Sequence, residues 1–164
     1  MKTYAGIGSR ETPNNICREM YDIGFKLARK GYTLRSGGAD GADKAFEFGC
    51  DDMVIGKKEI YLPWRGFNGS TSLLNAVSDE AVDLAKKFHP NWYSLQSAGR
   101  CLMGRNAYQV LGSNLNNPVD FILYWTKDGK ASGGTGQALR MAKHYMIPAY
   151  CVGRDIIQIQ ELLA

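Results

Sequence analysis

Nine residues, Arg35-Ser-Gly-Gly-Ala-Asp-Gly-Ala-Asp43, form the most informative segment of this chain. They follow a short apolar run, Tyr32 to Leu34, and precede an amphipathic segment, Lys44 to Phe48. This order predicts a strand, a glycine-rich turn and a helix, because glycine permits positive φ angles and close approach of a ligand to the backbone. The first turn of such a helix offers unpaired N–H groups to an anion. Two interpretations remain open: a phosphate-binding loop, and a plain β–α connection in which Asp40 or Asp43 caps the helix.

The composition is that of an ordinary globular protein. The chain has 164 residues, of which 45% are hydrophobic and 22% are charged, so it is long enough to bury a sizeable core. We therefore expect one domain over residues 1–164. The formal net charge of +4 is compatible with a phosphorylated ligand or a nucleic acid but does not require either.

The cysteines and the first residues indicate the compartment. Cysteines lie at positions 17, 50, 101 and 151, without a CxxC pair and without histidines at zinc-ligand spacing. The chain begins directly with a strand-like run, and no apolar stretch is long enough to span a bilayer. We therefore expect a cytoplasmic protein with reduced cysteines, no metal and no membrane partner.

Apolar runs and helical periodicities alternate along the chain. Strands are expected at 3–7, 32–34, 59–62, 119–125 and 147–152, and helices at 13–30, 42–49, 78–88, 94–111, 137–145 and after Asp155. The run Val119 to Trp125 is apolar almost throughout, which indicates a central strand buried on both faces. This alternation predicts an α/β fold, namely a doubly wound Rossmann-like parallel sheet with helices on both faces.

Three loops rich in small and polar residues each follow a predicted strand. Ligands of open parallel sheets bind beyond the carboxyl ends of the strands, so we expect these loops to line one pocket. Their backbone N–H groups and hydroxyls suit a phosphate or diphosphate, and each charge-assisted hydrogen bond contributes ~1.5–3 kcal/mol. The candidate ligand-binding residues are Gly8, Ser9 and Arg10 in the first loop, Ser36, Gly37, Gly38, Ala39, Asp40 and Asp43 in the second, and Ser132, Gly133, Gly134, Thr135, Gly136 and Gln137 in the third.

Further candidates lie outside these loops. Trp64 and Phe67 share a glycine-containing loop, where they either cover a sheet edge or provide a wall on which a base stacks. Trp64 and Tyr4 are the candidates for base stacking. Arg105, followed by Asn106 in the helical segment 94–111, either neutralises a ligand phosphate or forms a salt bridge within the helical layer. No Walker A or GxGxxG pattern is present, so no cofactor is predicted.

These motifs together resemble the SLOG superfamily. The resemblance is carried by Gly6-Ile-Gly-Ser-Arg10, Ser36-Gly-Gly-Ala-Asp-Gly-Ala-Asp43, Arg105-Asn106 and Ser132-Gly-Gly-Thr-Gly-Gln-Ala138. It is strongest to the DprA-like (Smf) proteins and their stand-alone phage and bacterial cousins. It implies a Rossmann-like sheet that binds nucleotides or nucleic-acid phosphates at its carboxyl edge, and a homodimer or higher homo-oligomer in a bacterial or phage-infected cytosol.

Members of this superfamily differ in activity. Some bind single-stranded DNA, others recognise ADP-ribose-type signalling nucleotides, and the LOG branch cleaves the N-glycosidic bond of cytokinin nucleotides. The LOG pattern PGGxGTxxE is incomplete here, because Ser132 replaces its proline, Gln137 its threonine and Arg140 its glutamate. An oxocarbenium-like transition state needs a carboxylate, so a cation at position 140 argues against this activity.

We therefore predict that the chain binds an ADP-ribose-like molecule or another phosphorylated nucleoside at the carboxyl edge of the sheet, without a requirement for turnover. Two alternatives stay open. One is DprA-like binding of single-stranded DNA, and the other is N-glycoside hydrolysis with Asp40, Asp43 or Glu47 in place of the missing glutamate. As a hypothesis that follows from the resemblance, a phage protein of this kind would sequester a signalling nucleotide of host defence.

Overall fold

The computed structural model describes residues 1–164 as alternating strands and helices. The strands are β1 (Thr3–Gly6), β2 (Thr33–Ser36), β3 (Lys57–Ile60), β4 (Phe121–Tyr124) and β5 (Ala149–Cys151). The α-helices are α1 (Asn14–Arg29), α2 (Ala42–Asp51), α3 (Asp79–Lys86), α4 (Ser97–Leu111), α5 (Gly133–His144) and α6 (Ile156–Leu163). None of these helices has the length and apolarity that a bilayer crossing requires.

The five strands form one parallel sheet in the order β3-β2-β1-β4-β5. β1 pairs with β2 on one side and with β4 on the other, so the chain winds outward from β1 in both directions. The strand order therefore reverses between β1 and β4, and at such a switch point the two flanking loops diverge to leave a crevice. The structure confirms the predicted doubly wound, Rossmann-like parallel sheet.

Helices cover both faces of the sheet because successive strand residues point to opposite sides. Tyr4 and Leu123 face the layer of α1, α2 and α6, whereas Ala5 and Ile122 face the layer of α4 and α5. Both layers are apolar, which explains why β4 reads as a nearly continuous hydrophobic run. As predicted, β4 is an interior strand, with neighbours on both sides.

Several predicted boundaries differ from the structure by a few residues, and two of these differences have a clear physical reason. The third strand is Lys57–Ile60 rather than 59–62, because β3 is an edge strand that pairs only with β2 and carries two exposed lysines. Its apolar continuation, Tyr61 and Leu62, is buried beyond the strand. The fifth helix begins at Gly133 rather than at residue 137, because the glycine-rich segment forms the first helical turn. Apolar periodicity cannot detect a turn made of small residues.

Tyr4 belongs to the core and cannot stack on a ligand. Its ring is 1% exposed and packs against Tyr32, Phe46 and Phe121 with centroid separations of 6.3, 6.1 and 5.8 Å. Its hydroxyl is buried without a hydrogen-bond partner. Burial raises the pKa of Tyr4 well above its ordinary value, which keeps the hydroxyl neutral.

Replacing Tyr4 with phenylalanine would remove this unpartnered hydroxyl and keep the ring. Because a buried polar group without a hydrogen bond costs about 1–3 kcal/mol, we expect Tyr4→Phe to raise the free energy of unfolding by about 1 kcal/mol. Urea denaturation followed by circular dichroism measures the change. The matched control is Tyr32→Phe in the same aromatic cluster, where the ring is only half-buried and no comparable gain is expected. A stability loss in Tyr4→Phe would contradict this assignment.

Candidate functional site

A cavity of about 770 Å³ lies at the carboxyl edge of the sheet. Its walls come from the loops after β1, β2 and β4, from the middle of α4 and from the first turn of α5. The three predicted loops thus meet at the crevice beside the switch point. The predicted residues that line the cavity are Gly8, Ser9, Arg10, Ala39, Asp40, Asp43, Arg105, Asn106, Ser132, Gly133, Gly134 and Thr135. That they bind a ligand remains a prediction.

Arg105 and Asn106 of α4 connect two of these loops. Arg105 is 6% exposed, and its Nη1 donates to the carbonyl oxygens of Gly37 at 2.5 Å and Tyr61 at 3.2 Å. Its Nε donates to Oδ1 of Asn106 at 2.9 Å. Nδ2 of Asn106 in turn donates to the carbonyl oxygen of Gly134 at 3.0 Å. These two side chains therefore fix the loop after β2 relative to the first turn of α5.

The glycines of the loop after β2 are needed for different reasons. A Cβ atom on Gly37 would lie 2.4 Å from Nη1 of Arg105 and 2.4 Å from Nε2 of Gln109, so Gly37 provides room for the two side chains. Gly38 and Gly41 instead have φ angles of 68° and 80°, which side chains rarely tolerate. The loop thus combines close packing with left-handed turns.

Asp43 lies in the turn that the sequence analysis interpreted either as a phosphate-binding loop or as a β–α connection with a capped helix. The residue is 4% exposed, and its Oδ2 accepts a hydrogen bond from the backbone N–H of Ala39 at 3.3 Å. Burial raises the pKa of Asp43 to about 6, against the opposing effects of Arg105 and of the amides of Ala39, Gly37 and Gly8. The N–H of Ala39 therefore points towards the protein's own carboxylate. The loop after β2 thus places a buried carboxylate at the cavity.

Arg105 forms no salt bridge, so the predicted alternative of a salt bridge within the helical layer is wrong. The ion pairs of the protein involve Arg35, Lys44 and Lys58 as the cations. Burial lowers the pKa of Arg105, and the nearby carboxylate of Asp43 opposes this effect. Arg105 is therefore a buried cation whose nearest anionic neighbour also lines the cavity.

Several predicted residues build the walls and do not reach the cavity. Ser36 is 0% exposed, and its hydroxyl donates to the carbonyl oxygen of Gly6 at 2.6 Å. Ser36 therefore joins two neighbouring strands and cannot hold a phosphate. The other predicted residues that lie outside the cavity lining are Gly37, Gly38, Trp64, Gly136 and Gln137.

Gln137 and Arg140 anchor α5 to the end of α3. Gln137 is 0% exposed, and its Nε2 donates to the carbonyl oxygen of Ala85 at 2.7 Å. Nε of Arg140 donates to the carbonyl oxygen of Phe88 at 2.7 Å, and its Nη2 donates to Oε1 of Gln137 at 3.0 Å. The position of the LOG glutamate is thus filled by a side chain that points away from the cavity.

Phe67, and not Trp64, lines the cavity. Trp64 is 42% exposed and packs edge-on against Phe67 with a centroid distance of 5.5 Å. The guanidinium of Arg105 lies 5.6 Å from the centre of the Phe67 ring. Asn68 holds this loop in place, because its Nδ2 donates at 3.0 Å both to Oδ1 of Asp40 and to a carbonyl oxygen of the loop after β2.

Sequence reasoning missed Gln109, Lys127, Leu102 and Met103, which also line the cavity. Gln109 is 3% exposed, and its side-chain amide makes no hydrogen bond within the protein and is not sealed from solvent. It lies one helical turn after Arg105, and Leu102 lies one turn before it. Residues three or four apart share a helix face, so their spacing from Arg105 could have identified Gln109 and Leu102 as cavity residues.

The first turn of α5 presents three backbone N–H groups without partners, those of Gly133–Thr135. The first helical hydrogen bond runs from the N–H of Gly136 to the carbonyl oxygen of Ser132 at 2.9 Å, and no side chain caps this end. Such a helix terminus carries partial positive charge. Arg10 and Lys127 add two exposed cations at the rim. The helix terminus and the rim thus form the electropositive end of the cavity.

No group of three or more metal-ligating side chains occurs in the structure. The cavity therefore offers hydrogen-bond donors, one buried carboxylate and an apolar wall as its means of holding a ligand.

The fold is similar to that of two solved structures. DNA processing protein A from Helicobacter pylori, studied for its single-stranded DNA binding mode, aligns with a TM-score of 0.63 and 16% identity, over 99% of this chain and 78% of that one. TM1055 aligns with a TM-score of 0.56 and 19% identity, over 91% of this chain and 72% of that one. No family model matches the chain, and no curated protein matches it. These similarities agree with the predicted SLOG-like fold, and at such identities they show the fold alone.

Replacing Gly37 with alanine tests whether Arg105 and Gln109 need the space beside it. The added Cβ would overlap both side chains, and overpacking of a well-packed interior costs about 1–3 kcal/mol, so we expect a stability loss of that size in urea denaturation. The matched control is Gly134→Ala, because a Cβ there would meet only Met103, at 3.8 Å. Equal stability of the two variants would contradict the tight packing at Gly37.

Proposed function

We propose that this chain binds a phosphorylated small molecule derived from a nucleotide, such as an ADP-ribose-like compound, in the cavity at the carboxyl edge of the sheet. The observation that carries the proposal is a set of polar side chains, Asp43, Arg105, Asn106 and Gln109, that border the cavity although each is more than nine-tenths buried. Within this set, the side-chain amide of Gln109 and Nη2 of Arg105 have no hydrogen-bond partner in the protein. A ligand with complementary polar groups would pair with them.

The first turn of α5 is the proposed phosphate site. The unpaired N–H groups of Gly133–Thr135 and the positive end of the helix dipole favour an anion at this position. Arg10 and Lys127 stand at the same rim, and charge-assisted hydrogen bonds contribute ~1.5–3 kcal/mol each. The loop after β2 is the poorer choice, because the buried carboxylate of Asp43 in this loop would repel a second anion.

An apolar wall beside the buried polar side chains of the cavity suits the base of such a ligand. Phe67, Leu102 and Met103 line this part of the cavity, and Leu102 lies one helical turn before Arg105. Stacking of a base on an aromatic ring contributes ~1–3 kcal/mol in nucleic-acid complexes. We therefore assign to Phe67 the stacking role that the sequence suggested for Trp64.

We propose binding without cleavage of the ligand. The residue at the LOG glutamate position, Arg140, is engaged with the end of α3. Glu11 and Asp40 are exposed at the rim, and Asp40 is paired with Lys44 at 3.1 Å. Asp43 is then the only buried carboxylate at the cavity, and N-glycoside hydrolysis through it is the alternative that the experiment below separates from binding.

Binding without turnover is the property that a sequestering protein needs. A role in capturing a host defence signal, and assembly into a homodimer or higher oligomer, are hypotheses that come from the SLOG resemblance. Light scattering during size-exclusion chromatography, with and without ligand, measures the oligomeric state directly.

Single-stranded DNA is the second candidate ligand. The observation that favours it is the fold shared with DNA processing protein A, which was studied for its single-stranded DNA binding mode, together with the exposed cations Arg10 and Lys127. A DNA strand would use these cations at the rim and would leave the side-chain amide of Gln109 without a partner. Its binding would weaken steeply as salt rises, because counterions are released from the phosphates.

Calorimetric titrations with AMP, ADP-ribose and a long oligo(dT) test the proposal. We expect wild-type protein to bind AMP or ADP-ribose, and the double variant Arg10→Ala/Lys127→Ala to bind about tenfold more weakly, which corresponds to ~1.4 kcal/mol. The matched control is Lys26→Ala/Arg29→Ala, which removes two exposed cations of α1 that are not part of the cavity lining. The control should bind like wild type.

The bound molecule is then released by denaturation and analysed by mass spectrometry. Intact ligand supports binding without turnover, whereas free base shows hydrolysis. Salt-sensitive binding of oligo(dT) without binding of either nucleotide would replace the proposal by the second candidate. Equal loss of affinity in both double variants would show that the cavity rim does not hold the phosphate.

A further inference from the structure

We infer that the floor of the cavity, formed by Asp43, Arg105 and Gln109, binds the vicinal hydroxyl pair of a ribose, so that the protein selects ribonucleotide over 2′-deoxyribonucleotide ligands. This inference rests on the proposed function and assigns a substrate class to the same site. It names Asp43 and Gln109 as the specificity-determining residues.

The three side chains of the floor lie side by side. Nη1 of Arg105 and Nε2 of Gln109 would both lie 2.4 Å from a Cβ atom on Gly37, so the two groups flank the same backbone position. Asp43 also lines this cavity and reaches the loop between β2 and α2 through the N–H of Ala39. The floor therefore presents a carboxylate, a guanidinium and an amide to one volume.

Part of the hydrogen-bonding capacity of the floor is unused. The amide of Gln109 and Nη2 of Arg105 make no hydrogen bond within the protein, and neither is sealed from solvent. Asn106 differs, because its Oδ1 and Nδ2 are both engaged. A ligand that enters the cavity thus meets free donors on Arg105, a free donor and acceptor on Gln109, and the carboxylate of Asp43.

The chemistry of the floor selects a neutral group that both donates and accepts hydrogen bonds. A second phosphate would face the carboxylate of Asp43, and an apolar group would leave the side-chain amide of Gln109 and Nη2 of Arg105 without partners. Two adjacent hydroxyls satisfy both demands, because a planar carboxylate can accept from two neighbouring O–H groups, and Gln109 and Arg105 can donate to the hydroxyl oxygens.

The positions of the other subsites agree with a sugar at the floor. The proposed phosphate site is at the exposed first turn of α5, and Asn106 links that turn to the floor through Gly134. The apolar wall for the base begins at Phe67, which lies over the guanidinium of Arg105. A ribose at the floor would therefore lie between phosphate and base, as its covalent connections require.

This arrangement predicts that a single ribose hydroxyl determines which nucleotides bind tightly. Loss of the 2′-hydroxyl would leave the buried groups of the floor without one of their partners, and sites built to bind a hydroxyl reject analogues that lack it. We expect AMP to bind at least about tenfold more tightly than 2′-deoxy-AMP. Ribose 5-phosphate and 2-deoxyribose 5-phosphate, which have no base, should show the same preference.

Calorimetric titration of these four compounds against matched variants tests the inference. Asp43→Asn preserves the shape of the side chain and an acceptor for the N–H of Ala39, but it removes the carboxylate, so the preference for AMP should fall to about twofold or less. The control is Asp83→Asn, which neutralises an exposed carboxylate of α3 and should keep the wild-type preference. Thermal melting curves show whether each variant is folded, and Gln109→Ala provides a second test at the floor.

The outcomes separate this inference from the proposed function. Equal binding of AMP and 2′-deoxy-AMP by wild-type protein would overturn the inference and leave the proposed function intact. The inference would also be overturned if the preference persisted in both Asp43→Asn and Gln109→Ala. Failure of wild-type protein to bind any of the four compounds, or ADP-ribose, would count against the proposed function itself.

Discussion

The hydrogen bonds of two adjacent side chains, Arg105 and Asn106, hold open the cavity on which the rest of the site depends. The guanidinium is buried and donates to Gly37 and Tyr61, and the amide beside it donates to Gly134. Burying a charge is costly, and hydrogen bonds to the buried group compensate for part of its lost hydration. The loop after β2 and the first turn of α5 are therefore coupled through α4, although they lie far apart in the sequence.

The sheet and the meeting of three loops at its carboxyl edge could be predicted because they depend on regular features of the sequence. Alternating apolar runs and helical periods specify a parallel sheet, and the three glycine-bearing loops then meet at one edge. The directions of individual side chains could not be predicted. Asp43 accepts a hydrogen bond from its own loop, and Gln137 binds the end of α3. Phe67 rather than Trp64 faces the cavity because Asn68 holds their loop in place. These outcomes depend on tertiary contacts that no local pattern encodes.

Fold and ligand chemistry are separate questions in this protein. The shared fold links the chain to DNA processing protein A and TM1055, but function depends on the groups that line a site. In this chain the polar groups at the rim of the cavity differ from those at its floor. Unpaired N–H groups and cations occupy the rim, whereas Asp43 and Gln109 occupy the floor. A small phosphorylated ligand with a polar, uncharged centre fits this division better than an extended polyanion, which would use the rim alone.

A crystal structure of the protein with bound ADP-ribose would test the central claim most directly. The account predicts a phosphate within hydrogen-bonding distance of the N–H groups of Gly133–Thr135, a ribose beside Asp43 and Gln109, and Arg105 in its present position between the loops. A phosphate seated instead in the loop after β2, with Asp43 displaced from its amides, or a ligand outside the cavity, would contradict the account.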